Sequence, residues 1–358
     1  MTVPTSTPAP LSAWTQSATC AGLAQTLATW NRAASWQPCN AWWAVSSGRS
    51  REWSMYLARP ARVMPAVGLG LVALMGSLYA RRRILGGIAR GPMNLGKQVR
   101  LGRLFSHPSG RLCSVAADHF VGYAEAMPEG LANLPRCLAE IVAARPDAVT
   151  LQKGTALQCW GPHAGKVPLI VQAGCFTADE RIIEILATPE ESLRMGAEAI
   201  AIAIGVRGPN EGKFIRLLCD GVRAAEPLGL PVIAHIYPRV FDSQGGRIVS
   251  DPENIAWAVR VGIECGADVI KVGYTGDPAS FGEIVSSCPV PVVAAGGPRA
   301  ETLAEALRMM AGVVASGARG ATIGRNVWGH SSIGEAIRAF KAVLQDGASP
   351  EAALAGRG

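Results

Sequence analysis

The sequence predicts an α/β chain that closes into a (β/α)8 barrel, a TIM barrel, over residues 93–346. Eight short apolar, β-branched runs recur at helix-sized intervals, and most of the stretches between them are amphipathic. Six of the eight runs end on glycine or a polar side chain. Near-continuous apolar strands alternating with helices imply a parallel sheet covered on its outer side. Eight such units in this length match a barrel. The competing doubly wound sheet lacks its phosphate fingerprint: after the first strand the chain reads ADHFVGYAEAMPEG, with no GxGxxG.

The strands are placed, in order, at LCSVAAD (112–118), DAVTLQ (147–152), PLIVQA (168–173) and EAIAIAI (198–204). They continue with PVIAHI (231–236), DVIKVG (268–273), PVVAA (291–295) and GATIG (320–324). The helices lie in LANLPRCLAEIVAA, FIRLLCDGVRAAEPLG, NIAWAVRVGIECGA, TLAEALRMMAGVVASGA and IGEAIRAFKAVLQDG. Three joins, PLGLPVIA, CGADVIK and SGARGATIG, read as a helix C-cap running straight into a strand. Residues 347–358 are left as a C-terminal tail.

Bulk charge says little about partners. The formal net charge is +7, yet residues 1–92 hold nine Arg, no Lys, no Asp and one acid, Glu52. That segment alone is +8 and the rest is −1, so nothing in the domain's net charge marks a nucleic-acid binder. Six of the nine Trp fall in the same segment, without strand–helix alternation. Its apolar stretch 63–80, flanked by arginines, is at the lower limit for a bilayer span and is broken by Pro65. Residues 1–92 are read as an extension without recognisable fold, disordered or not part of the natural product; an anchor or an organelle leader are the other readings. The nine cysteines are scattered singly, which fits buried thiols in a reducing, cytoplasmic compartment.

In a barrel the chemistry gathers where the strands end. The first strand ends in Asp118-His119 and the second in Gln152-Lys153-Gly154. The fifth ends in His235-Ile236-Tyr237-Pro238-Arg239; the sixth contains Lys271. Gly296-Gly297-Pro298 follows the seventh, and Gly324-Arg325-Asn326 the eighth. Lys271 sits in a strand otherwise built for burial, where an ammonium is poorly solvated and some amine is neutral. Such an amine can attack a ketone and form a Schiff base. The plainer reading is a lysine snorkelling from a strand end, or one paired with Asp268 or Asp277. Lys153 is the rival nucleophile, though its place before Gly154 suits binding of substrate oxygens. Tyr237 is a candidate proton carrier and Asp118 a candidate carboxylate for orienting the lysine or taking a hydroxyl proton. His119 and His235 are possible auxiliaries. The turns holding Gly296, Gly297 and Gly324 bring backbone N–H groups to the rim, and Arg325 adds a fork for phosphate oxygens. The five His show no HxH, HxxxH or HExxH spacing, so no metal site and no cofactor are expected.

The motifs LCSVAADH, DAVTLQKG, PVIAHIYPR, DVIKVGYTGD, PVPVVAAGGP and GATIGRNVWG, in this order, resemble those of the archaeal-type class I fructose-bisphosphate aldolases and related heptulosonate synthases. The resemblance runs from about residue 97 to the C-terminus. It implies a metal-independent homo-oligomeric TIM barrel acting on a small sugar phosphate, with Lys271 as the Schiff-base lysine and Tyr237 as general acid/base. It further implies Asp118 as assisting carboxylate and Gly296, Gly297, Gly324 and Arg325 around a phosphate. This chain departs from the pattern at Phe120, His235, Gly329 and the segment GVRGPNE (205–211). Those changes line the pocket and bear on the substrate more than on the reaction. An autoinducer-processing thiolase on the same barrel is the other reading within the fold; it would not need the phenol.

Overall fold

A computed structural model describes residues 94–119, 128–177, 179–180, 182–242 and 245–355. Expectations for residues 1–92 and for Phe120 lie outside the described residues. The strands are β1 (Leu112–Ala116), β2 (Ala148–Gln152), β3 (Leu169–Phe176), β4 (Ile183–Ile185), β5 (Ala199–Val206), β6 (Val232–Asp242), β7 (Gly245–Ile248), β8 (Val269–Val272), β9 (Val292–Ala295) and β10 (Gly320–Ile323). Parallel pairing runs β1–β2–β3–β5–β6–β8–β9–β10 and returns to β1, closing an eight-stranded (β/α)8 barrel. These eight are the runs read from the sequence. The remaining two, β4 and β7, fold back antiparallel on β3 and β6 above the barrel. Neither was expected, because each is short and β4 lies exposed or half-exposed.

The alternation of side chains along a strand divides the core in two. Val115, Val149, Val171, Ile202, Ala234, Ile270, Val292 and their neighbours face outward against the helices. Leu112, Ala148, Ile170, Ala201, Ile233, Val269 and Val293 face inward. The inner cluster is completed by Leu101 and Leu104 from the helix Leu95–Leu104, which plugs the N-terminal end of the barrel, and by Phe105 directly after it. The three expected helix-to-strand joins are capped by left-handed glycines, Gly229, Gly266 and Gly317 (φ +59°, +83° and +80°). Within the expected tail, Pro350–Ala355 is helical, and its Ala353 and Leu354 pack on the outer core. Among the described residues no helix is long and apolar enough to cross a membrane.

Charge is also buried at the plugged end. The Lys97 ammonium pairs with Glu226 and, at 2.9 Å, with Asp268, whose carboxylate also accepts the Val232 N–H at 2.9 Å. Asp268 thus stitches the plug helix to β6 and the start of β8. Removing one partner of a buried pair leaves the other charge poorly compensated, a loss of about 3–5 kcal/mol. Asp268→Ala is expected to lower stability by roughly that much in urea denaturation; an unchanged midpoint contradicts the assigned role.

Candidate active site

Strand parity decides which residues can meet. Val269 faces inward and Ile270 outward, so Lys271 faces inward. The same count from Ile233 turns His235 and then Tyr237 inward. From Leu112, through Ser114 and Ala116, it turns Asp118 inward. Ladder register sets His235 directly beside Lys271 on the neighbouring strand. The inner wall therefore changes character along its length, from apolar at the plug to hydroxyl and amide side chains such as Ser114, Thr322 and Gln172. The Ser114 hydroxyl lies 2.8 Å from that of Thr322. Above them come Lys271, His235, Tyr237 and Asp118.

These four groups act on one another. Lys271 is 5% exposed, and burial pulls its ammonium below the ordinary lysine range, partly offset by the nearby Asp118 carboxylate. Burial pushes the Tyr237 phenol well above its ordinary range; Asp118 adds to this and Arg325 opposes it. The phenol is therefore protonated at neutral pH. His235, 2% exposed, is held neutral by burial and by Lys271. His119 is likewise lowered by burial, with Asp118 opposing and Lys271 and Arg325 reinforcing. Mutual influence of this kind places all six side chains in one neighbourhood.

The plainer reading of Lys271, an ion pair with Asp268 or Asp277, does not describe this arrangement. Asp268 pairs with Lys97 at the opposite end of the strand, and Asp277 caps the helix Pro278–Ser287 by accepting the Ser280 N–H at 2.7 Å. Among the described residues no carboxylate comes within ion-pairing distance of Lys271. Lys153 is engaged by an acid: its ammonium is 2.6 Å from Glu191, at the start of the helix Pro189–Arg194.

At the rim, the turns after β9 and β10 are fastened together. The Arg325 guanidinium donates to the Gly297 carbonyl at 3.1 Å and is otherwise exposed. Asn326, 7% exposed, donates to the carbonyls of Gly296 and Pro298 at 2.9 Å each and accepts the Ala300 N–H at 2.8 Å. Its clamping role was not read from the sequence; the signal was a polar residue just after the glycine that ends the last strand. Gly296 differs from the sequence expectation in one respect. Its N–H donates to Thr322 at 2.9 Å and so belongs to the sheet, and its lack of a side chain serves close approach, since a Cβ would lie 2.8 Å from Ile323 Cα. Gly297 holds the left-handed turn (φ +72°). Beside these turns a cleft of about 150 Å³ is lined by Arg299, Thr302, Arg325, Asn326 and His330. Trp328 packs edge-on to His119 at 5.0 Å, with its indole N–H on the Ala116 carbonyl. No group of three His, Cys, Asp or Glu side chains suited to a metal ion occurs among the described residues.

A desolvated lysine on the inner wall of a parallel barrel, with a phenol and a carboxylate beside it at the C-terminal mouth, defines the class of enzymes that work on carbonyls through an imine. Comparison with known proteins agrees. The family model for DeoC/LacD family aldolases matches residues 112–330. The 2-amino-3,7-dideoxy-D-threo-hept-6-ulosonate synthase of Halobacterium salinarum is 35% identical over 266 residues, 74% of this chain and 97% of that protein. The class 1 fructose-bisphosphate aldolase of Thermoproteus tenax is 35% identical over 188 residues, 51% of this chain and 68% of that protein. A solved Schiff-base-forming fructose-1,6-bisphosphate aldolase superposes with a TM-score of 0.62 at 30% identity, covering 69% of this chain and 99% of that one. The chain belongs to the DeoC/LacD family of aldolases, and within it to the class I, Schiff-base enzymes.

Proposed function

We propose that the protein cleaves, or forms, a phosphorylated ketose with Lys271 as the imine-forming residue, and that its substrate is fructose 1,6-bisphosphate. The observation that carries this reading is the inward, desolvated Lys271 with Asp118 and Tyr237 in its field, below a glycine-rich rim bearing Arg325.

The neutral amine of Lys271 attacks the C2 ketone, and the carbinolamine hydroxyl leaves as water with a proton from the Tyr237 phenol. The resulting iminium withdraws electrons. A base, Asp118 or the phenolate, takes the C4 hydroxyl proton; the C3–C4 bond breaks and glyceraldehyde 3-phosphate departs. The enamine left on Lys271 is protonated at C3 and hydrolysed to dihydroxyacetone phosphate and free amine. Arg325 and the turns at Gly297 and Gly324 hold a phosphate, with Gly296 keeping the first of these turns close to the sheet; Lys153 and His235 contact substrate oxygens. A homo-oligomeric, cytoplasmic enzyme fits this reading.

A heptulosonate-forming aldol reaction is the second reading, favoured by the near full-length match to the Halobacterium synthase. Borohydride reduction in the presence of dihydroxyacetone phosphate or fructose bisphosphate, followed by peptide mapping, tests the shared chemistry. Adduct on the Lys271 peptide is expected; none, or adduct on Lys153 alone, overturns the assignment. Turnover of fructose bisphosphate then separates the two readings.

Two further results are expected. Arg325→Ala removes a charged donor to phosphate and raises KM roughly ten- to a hundredfold with a smaller change in kcat; an unaltered KM removes Arg325 from the phosphate site. The second concerns pH. Imine formation rises with pH until Lys271 is fully deprotonated, and Asp118 holds that midpoint up. Asp118→Asn therefore shifts the rising limb of borohydride trapping to lower pH, and a limb that stays or moves upward contradicts the coupling.

A further inference from the structure

Strand β6 does not stop at the rim. Two residues beyond Tyr237, the Arg239 side chain is 1% exposed and forms an ion pair with Glu180, itself 3% exposed. The guanidinium lies in a box of three phenyl rings, 5.0 Å from the centre of Phe176, 5.1 Å from Phe214 and 5.2 Å from Phe241. Glu180 reaches it from a tight turn after β3, closed by hydrogen bonds from the N–H groups of Thr177 and Glu180 to the carbonyls of Ile182 and Thr177. Glu180 adopts a left-handed backbone (φ +58°), a conformation disfavoured for a residue with a side chain. Its other oxygen takes the Asn210 amide. Two glycines make room: a Cβ on Gly205 would fall 1.9 Å from Arg239 Nη2, and one on Gly208 2.6 Å from the Phe241 ring.

Every segment gathered by this pair flanks Tyr237. Gly205 is the ladder partner of Tyr237, and Asn210 follows on the same connection. Phe176, which ends β3, touches both: its ring centre is 6.0 Å from that of Tyr237 and 5.0 Å from the Arg239 guanidinium carbon. As a source of stability the pair is a poor choice, because apolar residues of similar volume commonly serve as well or better than a buried ion pair. What it adds is direction. A guanidinium paired with a carboxylate and boxed by three rings is held in place more narrowly than an apolar contact alone would hold it, and proton transfer at a phenol tolerates displacements of only about 0.5 Å.

We propose that Arg239 and Glu180 are positioning residues that set the Tyr237 phenol against the imine, by locking the ends of β3, β5 and β6 around it through Phe176. The proposal rests on the reading of Tyr237 as general acid/base. The pair touches no substrate and takes no proton.

The test replaces both charges together by Arg239→Met and Glu180→Leu, since either single change strands a buried charge. In the full chain, kcat and the exchange of the dihydroxyacetone phosphate C3 proton with solvent are expected to fall roughly 10- to 100-fold. KM and the final extent of borohydride trapping on Lys271, which follows the stability of the iminium and not the speed of its formation, are expected to stay within about twofold. Wild-type kcat in the double variant, or an equal loss of trapping and turnover, overturns the proposal. Phe176→Leu keeps the pair but removes the bridging ring, and is expected to show the same selective loss if the double variant fails to fold; unchanged kcat there overturns it as well. Tyr237→Phe separates the two claims. A fully active Tyr237→Phe sinks the acid/base reading and the positioning proposal with it. A slow Tyr237→Phe beside a fully active double variant sinks the positioning proposal alone.

Discussion

Lys271→Ala is expected to abolish carbon–carbon cleavage, with kcat falling by at least about 10⁴-fold, while the fold survives. The size follows from the nature of the step: without an amine there is no iminium, and so no acceptor for the electrons of the breaking bond. Neighbouring groups cannot stand in. His235 is the ladder partner but is held neutral and buried, and Lys153 is engaged by Glu191. Stability is expected to change little, or to rise, because the variant removes a lysine that is buried without an ion-paired carboxylate among the described residues. Trapped adduct should disappear from the 271 peptide at the same time. Appreciable cleavage by this variant would falsify the imine assignment.

Tyr237→Phe is expected to lower kcat by roughly 10²–10⁴-fold, the usual yield of one positioned acid/base group. Trapping should slow but reach the same final extent, since the phenol speeds dehydration of the carbinolamine without changing the stability of the iminium that borohydride reduces. The phenol's burial gives this variant a distinct pH signature. Because burial and Asp118 hold the Tyr237 proton on above the ordinary tyrosine range, the wild-type enzyme keeps its acid form through neutral and mildly alkaline pH. Any alkaline fall in wild-type turnover that belongs to this phenol therefore sits higher than for an exposed tyrosine, and the variant lacks it. Loss of trapping together with turnover would instead mark the phenol as structural.

Much of this site was legible because barrel strands announce themselves. Runs such as DVIKVG and PVIAHI combine burial with one polar residue, and the parity rule that sends Val269 inward sends Lys271 with it. Family motifs then attach roles to residues at five strand ends. What escaped had weak or distant signals. The helix Leu95–Leu104 is short and amphipathic only against the inner core, so its role as a plug depends on closure of the barrel. Strand β6 was expected to end at Ile236; it runs to Asp242 because β7 pairs with it above the rim. Arg239 and Glu180 lie far apart in sequence, on a strand extension and in a turn, and nothing local joins them. Asn326 read as one more polar rim residue, and its clamp appears only when both turns are seen together.

The division of the core by strand parity has an evolutionary consequence. Ile270 answers to the helices outside, Lys271 to the chemistry inside, and Val272 to the helices again. Selection for folding and selection for substrate thus act on alternate codons of the same strand, with a wall one residue thick between them. Drift toward a new sugar is expected to accumulate at inward positions such as His235, while the outward neighbours Ala234 and Ile236 change only with the helices that cover them.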